Sequence, residues 1–222
     1  MHKLRVLFFL IGFPILLFAQ EKRTIIVLDR STSLKVDTKT NIRYVKNPVF
    51  RQDNATLTCD SAVFYKDRNY FEAFKNVHIN QGDTVNIFSD FLDYDGNKKL
   101  AHLSGNVRMI DPTSILTTNV LDYFMDTKIG KYYDNGKIVS NKEVTLTSKR
   151  GWYFANTKDA FFRYNVVVVT PQSTIKSDTL RYNTANNWTY FYGPTNIKGK
   201  DDNLYKCCAN HLVFLKASKP IP

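Results

Sequence analysis

Three cysteines, nine glycines and seven prolines in 222 residues exclude several kinds of protein at once. Cys59, Cys207 and Cys208 are odd in number and lack zinc-like spacing, so neither a disulfide framework nor a metal site is expected. So little glycine and proline rules out collagen-like and low-complexity chains. The four histidines, His2, His78, His102 and His211, stand at no spacing from a Cys, Ser or carboxylate that would make a triad or a metal centre. No catalytic residue, metal ligand or cofactor site is therefore expected. A formal net charge of +11 contains no run of five like charges, which argues against a nucleic-acid-binding tail. No apolar run reaches the roughly 20 residues of a spanning helix. No stretch sustains the 3.6-residue period of an amphipathic one.

What is present begins with a segment unlike the rest. Met1-His2-Lys3-Leu4-Arg5 is basic, and Val6 to Phe18 is apolar except for Gly12 and Pro14. These are the length and flanks of a secretory signal, with cleavage after Ala19 or Gln20, so residues 1–20 are expected to be removed and the remainder exported. An uncleaved N-terminal anchor is the alternative. No Cys follows the apolar run, so a lipoprotein anchor is not indicated. The basic excess favours anionic partners. Many cations fall at turn clusters, among them Lys66, Arg68, Lys98, Lys99, Lys128 and Lys158, where they form either a solvated surface or an anion-attracting rim.

After residue 24 the chain repeats. A polar residue recurs at Arg30, Asp60, Asp90, Asn119, Lys149, Asp178 and Asn210, at intervals of 29 to 32 residues. Four positions after these anchors stand Leu34, Phe64, Tyr94, Tyr123, Tyr153, Tyr182 and Phe214. Three positions before them stand Val27, Leu57, Ile87, Leu116, Leu146, Ile175 and Cys207. The position just before the anchor is small, and Cys59 fits there as a small hydrophobe. Thirteen tyrosines and sixteen phenylalanines among Thr, Val and Ile suit half-buried strands. Each unit reads as two strands joined by a turn, as in Asp95-Gly96-Asn97-Lys98. A period of this size implies an array in which each unit completes its neighbour's core.

Parity adds a shape. Side chains alternate faces along a strand, yet the apolar columns on the two sides of each anchor have opposite parity. A bulge or bend at the anchor turns both inward. The return strands place Asn before a β-branched residue at Asn47, Asn76, Asn106, Asn165 and Asn196, with Gly136-Lys137-Ile138 as a looser member, which predicts a second corner. The fold class expected is all-β: stacked two-strand repeats of about 30 residues forming an open-ended, twisted, V-shaped jelly roll. The anchor carboxylates Asp60, Asp90 and Asp178 are expected to join cross-strand ladders, since the same column holds Arg30, Asn119 and Lys149. The Asn183 to Trp188 and Tyr132-Tyr133 regions depart from the spacing.

The strands Ser89-Asp90-Phe91-Leu92-Asp93-Tyr94 and Ser177-Asp178-Thr179-Leu180-Arg181-Tyr182, alternating with Gly105-Asn106-Val107, resemble the OstA-like, LptA family of periplasmic jelly rolls of lipopolysaccharide transport. The resemblance covers residues 25–215, with the seventh repeat incomplete and 216–222 as a tail. It implies a non-catalytic periplasmic bridge toward the outer membrane that shields lipopolysaccharide acyl chains. It also implies partners, either other envelope transport proteins or copies of itself, joined by edge-strand pairing. The interior that would line this path is Leu92, Tyr94, Leu103, Val107, Leu121, Tyr123, Tyr153, Val166, Val168, Leu180 and Tyr182. A structural or assembly module with a dry core is the alternative, because such columns also simply fill sandwiches. An exported acidic-glycan-binding or glycan-cleaving solenoid would need exposed aromatic and carboxylate clusters on one outer face, and no repeat supplies one.

Overall fold

The computed structural model describes residues 24–82, 85–140, 144–154, 156–183 and 188–200, together with the backbone of two further strands. The expected signal at 1–20, the anchor Asn210, Cys208 and residues 217–222 lie outside the described residues. Nineteen strands run through the described chain: β1 (Val27–Arg30), β2 (Ser33–Val36), β3 (Ile42–Lys46), β4 (Val49–Gln52), β5 (Ala55–Thr58), β6 (Ser61–Tyr65), β7 (Tyr70–Gln81), β8 (Val85–Asp95), β9 (Leu100–Ile110), β10 (Ser114–Phe124), β11 (Ile129–Tyr132), β12 (Gly136–Ser140), β13 (Thr145–Ser148), β14 (Arg150–Phe154), β15 (Asp159–Val169), β16 (Ser173–Asn183), β17 (Trp188–Gly199), β18 (Leu204–Cys207) and β19 (Val213–Lys216). The helical content of the described residues is one 3-10 turn, Lys66–Arg68.

These strands form one antiparallel meander folded along its length. The first half-sheet holds β1, β4, β5, β12, β13 and β18, and the second holds β2, β3, β6, β11, β14 and β19. The long strands β7 to β10 and β15 to β17 belong to both, crossing at a bulge. Ladder register slips between Phe88 and Phe91, Thr118 and Val120, and Ser177 and Thr179, while strands break around Asp60 and Lys149. The bend expected at the anchors is thus present at those from Asp60 to Asp178, and it lets apolar columns of opposite parity share one interior.

The return corner is also present. Asn47, Asn76, Asn106 and Asn165 take φ of 44, 49, 48 and 54°, the left-handed region that Asn tolerates better than most residues. Two expectations need correction. In the fourth unit the corner falls on Asn135 (φ 51°), one residue before Gly136. In the sixth it falls on Gly193 (φ 80°), and Asn196 instead lies in a regular ladder opposite Lys176. Glycine enters that region without a Cβ clash, so it captures the corner from an asparagine three residues on.

Side chains fasten both corners. Asn76 donates to the Asp60 carboxylate at 3.0 and 3.2 Å, and Asn106 donates to Asp90 at 2.7 Å. These anchor carboxylates therefore tie one corner to the next. The small residue before each anchor bridges the bulge: Ser89, Thr118, Ser148 and Ser177 donate to the carbonyl two residues on, and the Cys59 thiol does the same toward Ser61 at 3.1 Å. Cys59 is buried, and desolvation pushes its thiol up to about 11.

One core runs through the described array from Ile26 to Phe191. The first unit departs from its columns. Val27 and Leu34 are 56 and 47% exposed, because β1 and β2 each have a partner on one side only among the described residues. Leu28, directly opposite Phe50, packs on the core in Val27's stead. The irregular fourth unit has its own solution: the Tyr132 ring lies so close over Gly136 and Gly151 that a Cβ on either would collide with it, and its hydroxyl meets Ser148 Oγ at 2.6 Å.

Candidate functional site

The two half-sheets meet at the corners and diverge toward the turns, so the space between them has a mouth along the turn side. In the early units that space is filled. Phe50 stacks on Phe71 at 4.3 Å between centroids, Phe64 meets Phe50 edge-on at 5.3 Å, and Phe71 tilts against Tyr94 at 5.4 Å. Leu92, Tyr94, Leu103, Val107, Leu121 and Tyr123 are all buried here.

The mouth of these units is fastened by a device that recurs with the repeat. Gln52, ending β4 in the first half-sheet, accepts from the Tyr94 hydroxyl and donates to the Gly96 carbonyl at 2.9 Å on the second. Twenty-nine residues on, Gln81 accepts from Tyr123 at 2.7 Å and donates to the Met125 carbonyl at 2.7 Å. Gln52 and Gln81 are themselves buried. Residues 24–26 close the first layer further: Gln52 donates to the Thr24 carbonyl at 2.7 Å, and the Ile26 amide donates to Asn69 Oδ1 at 2.8 Å. Lys99 adds an ion pair across the same mouth, 2.7 Å from Asp53. Burial holds the Tyr94 and Tyr123 phenols well above their ordinary range, so both stay neutral donors.

The clasp ends at the third layer. The position five residues after the corner Asn, which is Gln52 and Gln81 in the earlier units, is Asp111 here. Its carboxylate instead caps its own turn, accepting from the Thr113 and Ser114 amides at 2.7 and 2.8 Å. Tyr153, successor to Tyr94 and Tyr123, is only half-buried, as is Tyr182 one unit later. Beside Asp111 the interior contains a small cavity of about 40 Å³ lined by Met109, Leu116, Gly130, Ile138, Tyr153 and Phe162 among others. Val166, Val168 and Leu180 remain buried, while Ile138 and Ile197 are partly exposed against the core. The eleven interior positions expected from the repeat thus lie along one apolar space, closed at its first part and looser at its second.

The turn cations have mostly local partners. Lys98 pairs with Asp95 at 3.0 Å, Lys99 with Asp53, and Arg68 lies over the Tyr65 and Tyr70 rings. Among the described residues no group of three or more His, Cys, Asp or Glu could hold a metal ion. No helix there is long and apolar enough to cross a membrane. The glutamine clasps escaped the sequence reading, although their signal is there: Gln52 and Gln81 share the repeat interval with Tyr94 and Tyr123.

A folded antiparallel meander with two corners per unit and one apolar interior defines the class: a V-shaped β-jelly roll of stacked 30-residue units. The chain belongs to the OstA-like protein family, whose model matches residues 22–178. Among solved structures it is similar to LptH of Pseudomonas aeruginosa, described as the LptA-homologous periplasmic component of the lipopolysaccharide transport device. That match has 11% identity and a TM-score of 0.43, and it covers 59% of this chain and 93% of LptH. No curated protein matches the chain.

Proposed function

We propose that the protein is a non-catalytic periplasmic bridge that holds lipopolysaccharide acyl chains in its apolar interior and passes them toward the outer membrane. Family membership supports the class, and the likeness of the repeat motifs around Ser89–Tyr94 and Ser177–Tyr182 to that family supports the cargo. The observation that carries the reading is the end of the clasps at Asp111. From there the lining stays apolar while Tyr153, Tyr182, Ile138 and Ile197 reach solvent. Acyl carbons entering between the half-sheets would gain about 0.8 kcal/mol per buried methylene. The ends of the array would join other envelope transport proteins or further copies by strand pairing, since among the described residues β1 and β2 at one end each have a partner on one side only.

A photo-crosslinking residue at Tyr153 or Tyr182 should capture lipopolysaccharide in cells, while one at Leu103 or Tyr123 should capture much less. Absence of adducts at every interior position would sink the reading. The early units favour a second one, since their core is packed with aromatic rings and leaves no room for a chain. An assembly module with a dry core throughout predicts concentration-dependent oligomers and no lipid in mass spectra of the purified protein.

A further inference from the structure

On the outside of the fold, over the corners of the third to fifth units, lies a groove of about 550 Å³. Such a volume is within the usual range for small-ligand sites, roughly 300–1,000 Å³. Arg108, Lys137 and Lys149 line it, while the carboxylates at its edge, Asp90 and Asp134, are taken up by Asn106 at 2.7 Å and Asn135 at 2.9 Å. One cross-strand row forms the floor: Arg108 opposite Thr117, Thr117 opposite Lys137, and Lys137 opposite Thr147. Alternation sends their neighbours Val107, Leu116 and Leu146 inward and leaves this row facing out. Among the described residues none of the three cations has an ion-pair partner, and Arg108 has only the Phe88 ring at 6.0 Å.

The repeat identifies this charge as a local substitution. The corner column reads Asp60, Asp90, Asn119, Lys149, Asp178, and the groove sits where Asp gives way to Asn and Lys. Asp60 and Asp90 accept from Asn76 and Asn106. Lys149 cannot accept, so the Asn165 carboxamide beside it lines the groove with no side-chain partner among the described residues.

A second observation lies next to Lys149. Arg150 and Arg163 stand directly opposite each other, an arrangement that weakens a sheet, and both guanidiniums lie over the Tyr164 ring at 5.5 and 5.2 Å. Tyr164 takes φ of 65° at the corner position that Lys75 occupies at 63° in the second unit and Gly105 at 75° in the third, so the repeat's own corner presents this ring beside the groove.

We propose that this groove binds a phosphorylated saccharide, held by cations at its phosphates rather than by the aromatic and carboxylate clusters that a solenoid face would use to grip or cleave a glycan. The three cations take the anionic groups through charge-assisted hydrogen bonds. Asn119, Asn165 and Thr147 offer amides and a hydroxyl to sugar hydroxyls, and Arg150, Arg163 and Tyr164 continue the surface beyond the corner. No aromatic ring lines the groove, which disfavours nucleic acid, whose bases would need stacking partners.

Calorimetric titration tests the site with three probes: the phosphorylated saccharide released from lipopolysaccharide by delipidation, the same saccharide after phosphatase treatment, and inorganic phosphate. The phosphorylated saccharide should bind, and removing its phosphates should weaken binding about 10-fold or more. Lys149→Asp restores the carboxylate of the other units, which can accept from Asn165, so it should fold normally while binding the saccharide at least ~10-fold more weakly. Lys137→Gln should weaken it in the same direction. Three results would each overturn the proposal: equal binding of both saccharides, inorganic phosphate binding as tightly as the phosphorylated saccharide, or unchanged affinity in both variants with native circular dichroism. The site does not depend on the interior reading. Lys149→Asp should leave lipid crosslinking at Tyr153 unaltered, so either idea can fail alone.

Discussion

The first layers of the array and the later ones are built from the same repeat, yet they treat the space between their half-sheets differently. In the early layers Gln52 and Gln81 span the mouth, each satisfied by a tyrosine hydroxyl and a carbonyl of the opposite half-sheet, over a core of stacked rings. In the later layers Asp111 turns back on its own loop and the tyrosine column is only half covered. Two glutamines and one aspartate separate a closed wall from an open one. The lesson is that a repeat fixes the frame of a jelly roll, while one position per unit decides whether that unit's interior is clasped shut or left half covered.

The comparison can be broken most forcefully at the rings. Phe71→Ala should cost about 3–5 kcal/mol, since the ring is completely buried against Phe50 and Tyr94. Tyr182→Ala in the open part should cost clearly less, about 1–2 kcal/mol, because its side chain is half exposed. Chemical denaturation of both variants checks the pair, and equal losses would erase the distinction between the two halves.

A smaller effect is expected at the clasp. Gln81→Leu strands the Tyr123 hydroxyl and the Met125 carbonyl, each costing about 1–3 kcal/mol if left buried and unpaired. The same variant should raise lipid crosslinking at Tyr123 toward that at Tyr153. Unchanged capture at Tyr123 together with unchanged stability would show that the glutamine does not hold the mouth.

Alkaline titration sharpens the contrast further. Burial lifts the Tyr132 phenol from 10.0 to about 12 and the Cys59 thiol from 9.0 to about 11. Each group is thus more easily ionised in the unfolded chain than in the folded one. Their contribution to stability is complete below pH 9 and is lost as pH rises through about 11 to 12. Phenolate absorbance from the buried tyrosines should appear only as circular dichroism collapses. The smallest change is Cys59→Ser, expected to cost less than about 1 kcal/mol, because Ser89, Ser148 and Ser177 already bridge the same bulge.

Much of the frame was legible in the sequence. The clash of parity around Asp60, Asp90 and Asp178 demanded a bend, and the ladders slip or break there. The Asn column located four return corners. It misplaced the sixth because Asn196 and Gly193 both suit a left-handed residue, and only backbone strain ranks them. The expected interior was right in its alternation but said nothing of depth. Whether Tyr123 or Tyr153 is covered depends on what stands across the mouth, and that contact joins residues 42 apart. A lone Gln or Asp at a strand end reads as solvated turn chemistry until its partner on the other half-sheet is known.

Among the described residues every strand pairs with partners no more than three strands away in chain order, and none waits for a distant segment. Such a wall can be assembled in chain order, each arriving strand templated on an edge just completed. Loop closure then involves tens of residues rather than hundreds, which favours rapid folding. The clasps of Gln52 and Gln81 close on Tyr94, Gly96, Tyr123 and Met125, so the first layers are locked only once the chain has run on to residue 125, and the later layers can then build on that edge.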